Sequence, residues 1–195
     1  NEFNIPEYEQ LTKVEKENLR FNSTFVDFSL QSMIPLGDLH NIFSFAPLIG
    51  ARINLPIKNY GVFGVGLNVG FPAGANKFKY LDFDDTKINI VGIFDLQYTV
   101  LHYRLNSNLS LQPYFGIGYS ALGTDKLKEI DDEGNEIYYT IGAFDCKAGV
   151  ETVYKKYGLF FEYHYATFPN SSTVAQKFGT RYFNVGIVYK WSFGF

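Results

Sequence analysis

The residues of this sequence that could perform acid–base or nucleophilic chemistry are few. Three histidines and one cysteine occur among 195 residues. His164 follows Glu162 at a spacing of two, so both side chains lie on the same face if the segment is a β-strand. Such a pair can transfer a proton, or it can be a buried hydrogen-bonded pair. His40 and His102 have no partner at a spacing that indicates a catalytic triad. We expect His164 and Glu162 to form an interior hydrogen-bonded pair.

Metal chemistry would depend on carboxylates, because the single cysteine, Cys146, supplies neither a disulfide nor a thiolate cluster. Acidic side chains gather in two short segments: Asp82, Asp84 and Asp85, and then Asp131, Asp132, Glu133 and Glu136. Clustered carboxylates can hold calcium or bridge to lipopolysaccharide through divalent ions. The spacing of a calcium loop is missing, however, and residues 132–135 fit a hairpin tip equally well. We therefore predict solvated loops, with no metal and no cofactor.

Composition limits the class of protein further. Charged residues make up 19% of the chain, aromatic residues 18%, and the net charge is -3. Nucleic-acid binding requires a strongly basic surface, so nucleic acid is not an expected partner. No run of about 18 apolar residues is present, which argues against a transmembrane helix. The chain starts at Asn1 without a charged-then-apolar leader, as a mature exported chain or a trimmed one would.

From Phe21 onward, apolar residues recur at every second position, a period that predicts β-strands. Eight segments show this alternation: residues 24–34, 43–55, 63–71, 87–100, 109–120, 138–154, 157–165 and 183–195. In each segment one face is apolar and carries no charge, whereas the charged residues lie on the other face. Cys146 belongs to the apolar face. Pro47, Pro113 and the slip at Val100–Leu101 predict bulges, because proline cannot donate to the ladder and the slip reverses the faces.

Short and long connections alternate along the chain. Tight turns are predicted at residues 57–59, 106–108 and 155–156, and longer irregular loops at residues 36–41, 72–86, 123–136 and 169–179. An even number of strands then puts the tight turns and both termini at one end of the sheet. The sequence therefore predicts an up-and-down antiparallel barrel.

Two barrel architectures share this alternation but have opposite interiors. A soluble barrel faces its apolar side inward, whereas a transmembrane barrel faces it toward lipid. The apolar face here is rich in Phe, Tyr, Ile and Leu, which would overfill an eight-stranded lumen, and the opposite face is rich in Gly, Ser and Asn. Aromatic residues also concentrate near the strand ends, as in the interfacial girdles of membrane barrels. We therefore predict a transmembrane barrel over a soluble one.

The C-terminal residues 189–195, Tyr-Lys-Trp-Ser-Phe-Gly-Phe, resemble the closing strand of Gram-negative outer-membrane β-barrel proteins. The resemblance covers residues 21–195 by pattern and is greatest to the small eight-stranded OmpA/OmpX type. It implies an all-β, eight-stranded transmembrane barrel in the cell outer membrane, with short periplasmic turns and longer extracellular loops. It also implies contact with the lipid bilayer and lipopolysaccharide. In that family the barrel-assembly machinery reads the last strand, which implies an assembly signal at Tyr189, Trp191, Phe193 and Phe195.

The charges on the inward face are nearly balanced, with five acids and four bases: Asp27, Arg52, Lys87, Asp95, Asp145, Lys147, Glu151, Glu162 and Lys190. A selective pore usually has one dominant sign of charge. Buried charges away from water must be paired. We therefore predict that these residues, together with His164, form an ion-pair network that closes the lumen.

Enzymes occur among small outer-membrane barrels, and lipid A deacylases carry a His-x-Ser motif near a glutamate. The matching segment here is His164-Tyr165-Ala166, which follows Glu162, so alanine occupies the position of the nucleophile. This departure argues against the activity. We predict no catalytic residue.

These inferences predict a non-enzymatic outer-membrane barrel that acts as a structural, adaptor or accessory subunit of an outer-membrane assembly. A lipid-modifying enzyme and a narrow porin remain alternatives. Residues 21–195 form the predicted barrel. In residues 1–20, apolar side chains at a spacing of three and mixed charges predict a short helix or arm in the periplasm, either free or docked to a partner.

Overall fold

The computed structural model describes residues 24–57, 61–100, 103–105, 108–168 and 181–192. Its strands are β1 Phe25–Pro35, β2 Ala46–Ile57, β3 Gly61–Gly70, β4 Phe78–Tyr80, β5 Phe83–Thr86, β6 Ile88–Thr99, β7 Tyr103–Arg104, β8 Leu109–Ile130, β9 Glu136–Tyr154, β10 Tyr157–Thr167 and β11 Arg181–Ser192. A short 3-10 helix, Gly37–Asn41, follows β1. Among the described residues, no helix is long and apolar enough to cross a membrane. The predicted arm at residues 1–20 and the loop at residues 169–179 lie outside the described residues.

The long strands close into a barrel. The order in the sheet is β6-β3-β2-β1-β11-β10-β9-β8-β7, and β6 also pairs with β8, which closes the sheet on itself. The first and last strands, β1 and β11, are antiparallel neighbours from Phe25–Ser192 to Pro35–Tyr182. β6 and β7 pair one after the other with the same edge of β8, so together they form one strand of the wall. The wall therefore has eight strands. The predicted eight-stranded antiparallel up-and-down barrel is confirmed.

The barrel is apolar outside and polar inside. Along β10 every second residue is buried in the lumen and the residues between them are exposed. The exposed side chains on the other strands are large and apolar, as at Leu30 (58%), Ile49 (66%), Leu67 (55%) and Ile187 (57%). A soluble protein does not expose a continuous apolar surface of this kind, whereas lipid chains favour it. The structure thus confirms the predicted transmembrane barrel, including the exposed exterior position of Cys146.

Exposed aromatic residues lie near both ends of the barrel wall. At the end that carries the termini, Tyr157 and Tyr189 pack with ring centroids 5.5 Å apart, next to the exposed Trp191. At the other end, Tyr119 and Phe144 pack edge to face at 6.4 Å. Amphipathic aromatic side chains favour the interface between lipid and water. The two belts therefore mark the two membrane surfaces.

The predicted faces fail at the start of β6. Ile88 was predicted to face lipid, but it is buried, and Asn89 is exposed instead. The pairing with β8 shifts register between Ile88 and Ile90, and such a bulge reverses the faces of the residues before it. Lys87 therefore does not belong to the lumen charges, which corrects the predicted set. Its backbone N–H donates to Asp125 Oδ1 at 2.8 Å.

The bulges predicted at the prolines are not in the predicted positions. The β1–β2 register passes unbroken through the pair Ser32–Pro47, so that prediction is wrong. The pairing of β2 with β3 begins only beyond Pro47, at Leu48, so the missing N–H is not needed on that side.

The β8–β9 register also passes unbroken through Pro113. On its other edge, β8 pairs with β6 through Thr99–Tyr114 and with β7 through Tyr103–Leu111. Between these two pairs, the chain from β6 to β7 has one residue more than β8 has. This offset lies where the slip at Val100–Leu101 was predicted, and Leu101 and His102 themselves lie outside the described residues.

The segment predicted as an irregular loop at residues 123–136 is largely strand. β8 continues to Ile130 and β9 begins at Glu136, so both extend past the barrel wall and leave a turn at residues 131–135. Register shifts in β8 between Gly123 and Glu129 disturb the alternation, which is why the sequence pattern hid the strand. We refer to residues 125–138 as the extracellular hairpin. The segment 72–86 likewise contains the small β4–β5 hairpin.

Candidate functional site

Four charged side chains from four strands meet in the lumen and form what we call the central cluster: Arg52, Asp95, Lys147 and Glu162. Lys147 Nζ lies 2.8 Å from Asp95 Oδ1 and 3.1 Å from Glu162 Oε1. Arg52 Nη2 lies 3.2 Å from Asp95 Oδ1 and 3.9 Å from Glu162 Oε1. Both cations therefore join the same two carboxylates. Because a buried charge without a partner is costly, the four groups hold one another in place across the lumen.

Two glycines on β8 make room for the contact between β6 and β9. A Cβ atom at Gly116 would lie 3.0 Å from Lys147 Cε, and a Cβ atom at Gly118 would lie 3.2 Å from Asp95 Cβ. The absence of side chains at these two positions lets Lys147 reach Asp95 over the strand between them. Gly116 and Gly118 also lie close to the backbone of β6, where a side chain would clash.

A second group, the upper cluster, consists of Ser120, Asp145, His164 and Tyr182. His164 Nδ1 lies 3.0 Å from Asp145 Oδ2, and its Nε2 lies 2.9 Å from Oε2 of Glu162 in the central cluster. Ser120 Oγ donates to Asp145 Oδ2 at 2.6 Å, and the Tyr182 hydroxyl donates to the same oxygen. The rings of Tyr182 and His164 are stacked, with centroids 4.3 Å apart. Since each ring nitrogen of His164 faces a carboxylate, both can donate only if the ring is an imidazolium.

A third group, the lower cluster, lies toward the end of the lumen that carries the termini. Lys190 Nζ lies 2.9 Å from Glu151 Oε1 and 3.5 Å from Asp27 Oδ2. The Lys190 amine also lies 5.3 Å from the centre of the Phe25 ring. With this group, nine of the ten residues of the predicted network lie in the lumen, all except Lys87, and they divide among three clusters.

Neutral polar side chains that the sequence analysis did not single out complete these clusters. Tyr114 donates to Glu162 Oε1 at 2.9 Å. Gln31 donates to Asn68 Oδ1 at 2.5 Å, and Asn68 Nδ2 donates to Asp95 Oδ2 at 3.2 Å. These residues occupy the same alternate strand positions as the lumen charges. That shared spacing of two is the sequence signal that could have identified them.

The extracellular end of the lumen is apolar, which differs from the predicted polar interior. A group that we call the apolar plug closes it, formed by buried side chains at the strand ends and around the 3-10 helix: Met33, Leu39, Ile42, Phe43, Leu48, Phe78, Ile88, Ile93, Leu122 and Ile141. Phe43 was predicted to lie on the lipid face of a strand, but β2 begins only at Ala46 and Phe43 is 0% exposed. These side chains form an apolar seal above the polar clusters.

Among the residues that the structure describes, the buried polar groups do not assemble a nucleophile with a base. Ser120 bonds to Asp145, and both ring nitrogens of His164 face carboxylates. Ala166, at the position where deacylases carry serine, is 0% exposed within the apolar plug region. Nucleophilic catalysis needs a base next to an accessible hydroxyl or thiol. The lumen residues that the structure describes provide no such pair.

The two acidic segments outside the barrel wall are organised by internal contacts. Asp84 and Asp85 pair with Lys79 at 3.0 Å and Lys126 at 2.5 Å. The Asp131 carboxylate accepts hydrogen bonds from the backbone N–H groups of residues 133 and 135. Within the described part of the chain, no group of three or more His, Cys, Asp or Glu side chains could hold a metal ion.

The base of the extracellular hairpin is fixed against the β4–β5 hairpin. The Tyr139 ring lies 6.1 Å from those of Tyr80 and Phe83, and Lys126 Nζ lies 5.7 Å from the Phe83 ring. The hydrogen bond from Lys126 lowers the pKa of Asp85, so this pair stays charged at neutral pH. The two hairpins thus form one packed extracellular rim.

Two of the four residues of the predicted assembly signal lie on β11, the strand that closes the barrel. Tyr189 and Trp191 are on the exterior of β11, opposite Phe28 and Val26 of β1. Phe193 and Phe195 lie outside the described residues.

Comparison with known proteins supports the fold. No family model matches the sequence, and no curated protein matches it. Among solved structures, the Neisserial surface protein A is 13% identical, with a TM-score of 0.50 over 87% of this chain and 96% of that one. The N-terminal β-barrel domain of Pseudomonas aeruginosa OprF is 12% identical, with a TM-score of 0.49 over 87% and 98%. Ail of Yersinia pestis is 11% identical, with a TM-score of 0.40 over 87% and 97%.

At these identities the likeness concerns the fold alone, and it rests on the Neisserial structure, since the other scores are lower. The Neisserial protein is a small eight-stranded outer-membrane barrel. Together with the apolar exterior and its aromatic belts, the fold identifies the chain as a transmembrane β-barrel of the outer-membrane type, as predicted.

Proposed function

We propose that this outer-membrane barrel is a non-conducting, non-enzymatic structural or adaptor subunit that contacts other components of an outer-membrane assembly through its extracellular rim. The observation that carries the proposal is the closed lumen. The central cluster joins four strands across the interior, and the apolar plug covers it on the extracellular side. Because the described residues leave no open path through the lumen and present no accessible catalytic group, we assign the function to the surfaces of the protein.

The surfaces divide into two kinds. The barrel exterior matches lipid, so it anchors the protein in the bilayer and in contact with lipopolysaccharide. The extracellular hairpin extends past the wall on strands of 22 and 19 residues, about twice what a membrane crossing needs. Rigid elements that project from a stable scaffold are common sites of recognition. This hairpin is therefore the surface that we assign to partner contact.

Two rival functions receive less support. A narrow porin needs a hydrated path, but ion pairs and buried apolar side chains fill the described lumen. A lipid A deacylase needs an accessible nucleophile beside His164, and Ala166 occupies that position.

Three measurements test the proposal. Purified protein in planar bilayers should conduct no steady current, and the same preparation should leave the acyl chains of lipid A unchanged by mass spectrometry. Affinity purification in mild detergent should recover a partner from native membranes, and recovery should fall when a short turn replaces residues 126–136. A stable open-state conductance, or deacylated lipid A, would contradict the proposal.

A chain without residues 1–20 serves as the matched control for the purification. It should recover the partner as well as the full chain does. If its recovery is lost while the hairpin variant keeps the partner, the contact surface is periplasmic and the assignment to the extracellular rim is wrong.

A further inference from the structure

We infer that the extracellular hairpin is a docking surface for a cationic, amphipathic polypeptide segment of a partner. This inference rests on the proposed function and specifies the chemistry of the partner that the rim contacts. It follows from three properties of residues 125–138: exposed apolar side chains beyond the membrane span, a concentrated negative charge, and a fixed base.

The first property is an apolar face above the membrane. Leu127 and Tyr138 are cross-strand partners and are 40% and 46% exposed, and Ile130, opposite Glu136, is 61% exposed. Cross-strand partners lie on the same side of a sheet, and so do residues two apart on one strand, such as Glu136 and Tyr138. Leu127, Tyr138 and Ile130 therefore form one patch. If the membrane-spanning part of β9 starts at Tyr154 and takes about ten residues, the strand continues for about 25 Å beyond the membrane before it reaches Glu136. The lipid that explains the exposed residues of the wall therefore does not explain this patch.

The second property is charge. The twelve residues from Leu127 to Tyr138 contain five acidic side chains and one lysine, Lys128, for a net charge of -4. Asp131 is engaged in the turn, where its carboxylate accepts the backbone N–H groups of Glu133 and Asn135. No ion pair within the described residues reaches the carboxylates of Asp132 or Glu133. These two groups can therefore pair with an external cation.

The third property is position. Lys126 holds Asp85 at 2.5 Å, and the Asp125 carboxylate accepts the backbone N–H of Lys87 at 2.8 Å. The patch thus projects from a base that is fixed to the rest of the rim. A pre-ordered surface loses less conformational entropy on binding than a mobile loop.

The combination of apolar patch and negative charge selects between the available occupants. Lipopolysaccharide carries phosphate groups, which the net negative charge of the hairpin repels. A polypeptide that alternates basic and apolar residues satisfies both properties, because its apolar side chains cover the patch while its cations meet the carboxylates. The occupant that the surface favours is therefore a cationic amphipathic segment.

The test uses the whole protein in nanodiscs of zwitterionic lipid, with empty nanodiscs subtracted. The probe is a short synthetic peptide of alternating lysine and leucine, and a peptide of alternating glutamate and leucine is its counterpart. In a titration the lysine peptide should bind and the glutamate peptide should not. The affinity of the lysine peptide should fall as the salt concentration rises. The pair Asp132→Asn with Glu133→Gln should weaken binding roughly fivefold to tenfold. The pair Leu127→Ser with Tyr138→Ser should weaken it by a similar factor.

A matched control removes the same charge from the neighbouring hairpin, through Asp82→Asn with Asp84→Asn, and should leave the affinity unchanged. Equal binding of both peptides, or equal loss with both charge variants, overturns the inference. The inference is also overturned if the lysine peptide does not bind, whereas bilayers that contain lipopolysaccharide shift the NMR signals of the hairpin residues only when divalent ions are present. If the peptides fail but the hairpin replacement still abolishes partner recovery, the proposed function stands and only the partner chemistry is wrong.

Discussion

The amine of Lys147 on β9 lies 2.8 Å from the carboxylate of Asp95 on β6, although β8 lies between the two strands. Gly116 and Gly118 leave the space over β8 through which the two side chains meet. Arg52 reaches the same carboxylate oxygen from β2, on the other side of β3. Asp95 thus ties together strands that share no hydrogen bond of the sheet, which makes it the most informative position for mutation.

Replacing Asp95 with Asn should lower the free energy of unfolding by about 3–5 kcal/mol, because Arg52 and Lys147 are then left with one carboxylate between them. Urea titration in detergent micelles measures the loss. The matched control is Asp84→Asn, which breaks an exposed pair with Lys79 and should change stability by about 0–1 kcal/mol. Equal effects at both positions would show that the lumen pairs add nothing beyond surface pairs.

Arginine at Leu67 should destabilise the barrel by about 2–4 kcal/mol, because this exposed side chain faces the lipid core. The same substitution at Ile130, which is at least as exposed but lies on the extracellular hairpin, should have little effect on folding. Refolding into lipid vesicles, followed by heat-modified gel mobility, compares the two variants. A loss confined to Ile130→Arg would reverse the assignment of the membrane span.

Phe43→Ala should cost about 3–5 kcal/mol, because the side chain is fully buried in the apolar plug and its removal leaves a cavity. The variant should still conduct no steady current, since the central cluster remains intact. Thermal unfolding and planar-bilayer recording on one preparation measure both quantities. Unchanged stability would mean that Phe43 does not seal the lumen.

Acid should loosen the tip of the extracellular hairpin. The pKa of Asp131 is lowered from its ordinary value of 3.8, because the side chain and backbone of Asn135 and the backbone of Glu133 donate to its carboxylate. The ordering of the turn is then fully present above the ordinary value and is lost as pH falls through the lowered value. NMR amide shifts of Glu133 and Asn135 should titrate together below pH 3.8, and Asp131→Asn should abolish the titration. A common midpoint above 3.8 would contradict the hydrogen bonding of the turn.

The C-terminal aromatics should matter for insertion more than for final stability. We predict that Trp191→Ser with Phe193→Ser reduces insertion by the barrel-assembly machinery, because it removes an interfacial anchor and the proposed signal. Tyr154→Ser with Tyr157→Ser, on neighbouring strands at the same end, is the control. Pulse-chase assembly in cells reports the rate. Equal delay in both variants would assign the effect to the aromatic belt alone.

The sequence by itself determined the wall of the barrel. A side-chain period of two assigns Leu67 and Asn68 to opposite faces without knowledge of the fold. Alternation alone also fits a soluble barrel, and it was the large Phe, Tyr, Ile and Leu side chains on one phase, against Gly, Ser and Asn on the other, that decided which face meets lipid. The same phase identified the lumen residues, including His164 and Glu162.

Where the backbone departs from regular pairing, the sequence pattern failed. Register shifts in β8 and at Ile88 change the faces without changing the residue types, so the extracellular hairpin was interpreted as a loop and Lys87 as a lumen charge. Ile42 and Phe43 belong to the apolar plug because the chain turns back over the mouth of the barrel, and no local period records that turn.

Only the tertiary structure decided which lumen charges pair. The sequence allows Asp95 to pair with any cation that faces inward. Its neighbours on the two adjacent strands are Gly66 and Gly118, which offer no charge. The stagger of the strands on closure brings Lys147 and Arg52 to the same height, and the glycines between them permit contact. Alternation fixes the side of the wall that a residue occupies, but the closed barrel fixes its distance from residues on other strands.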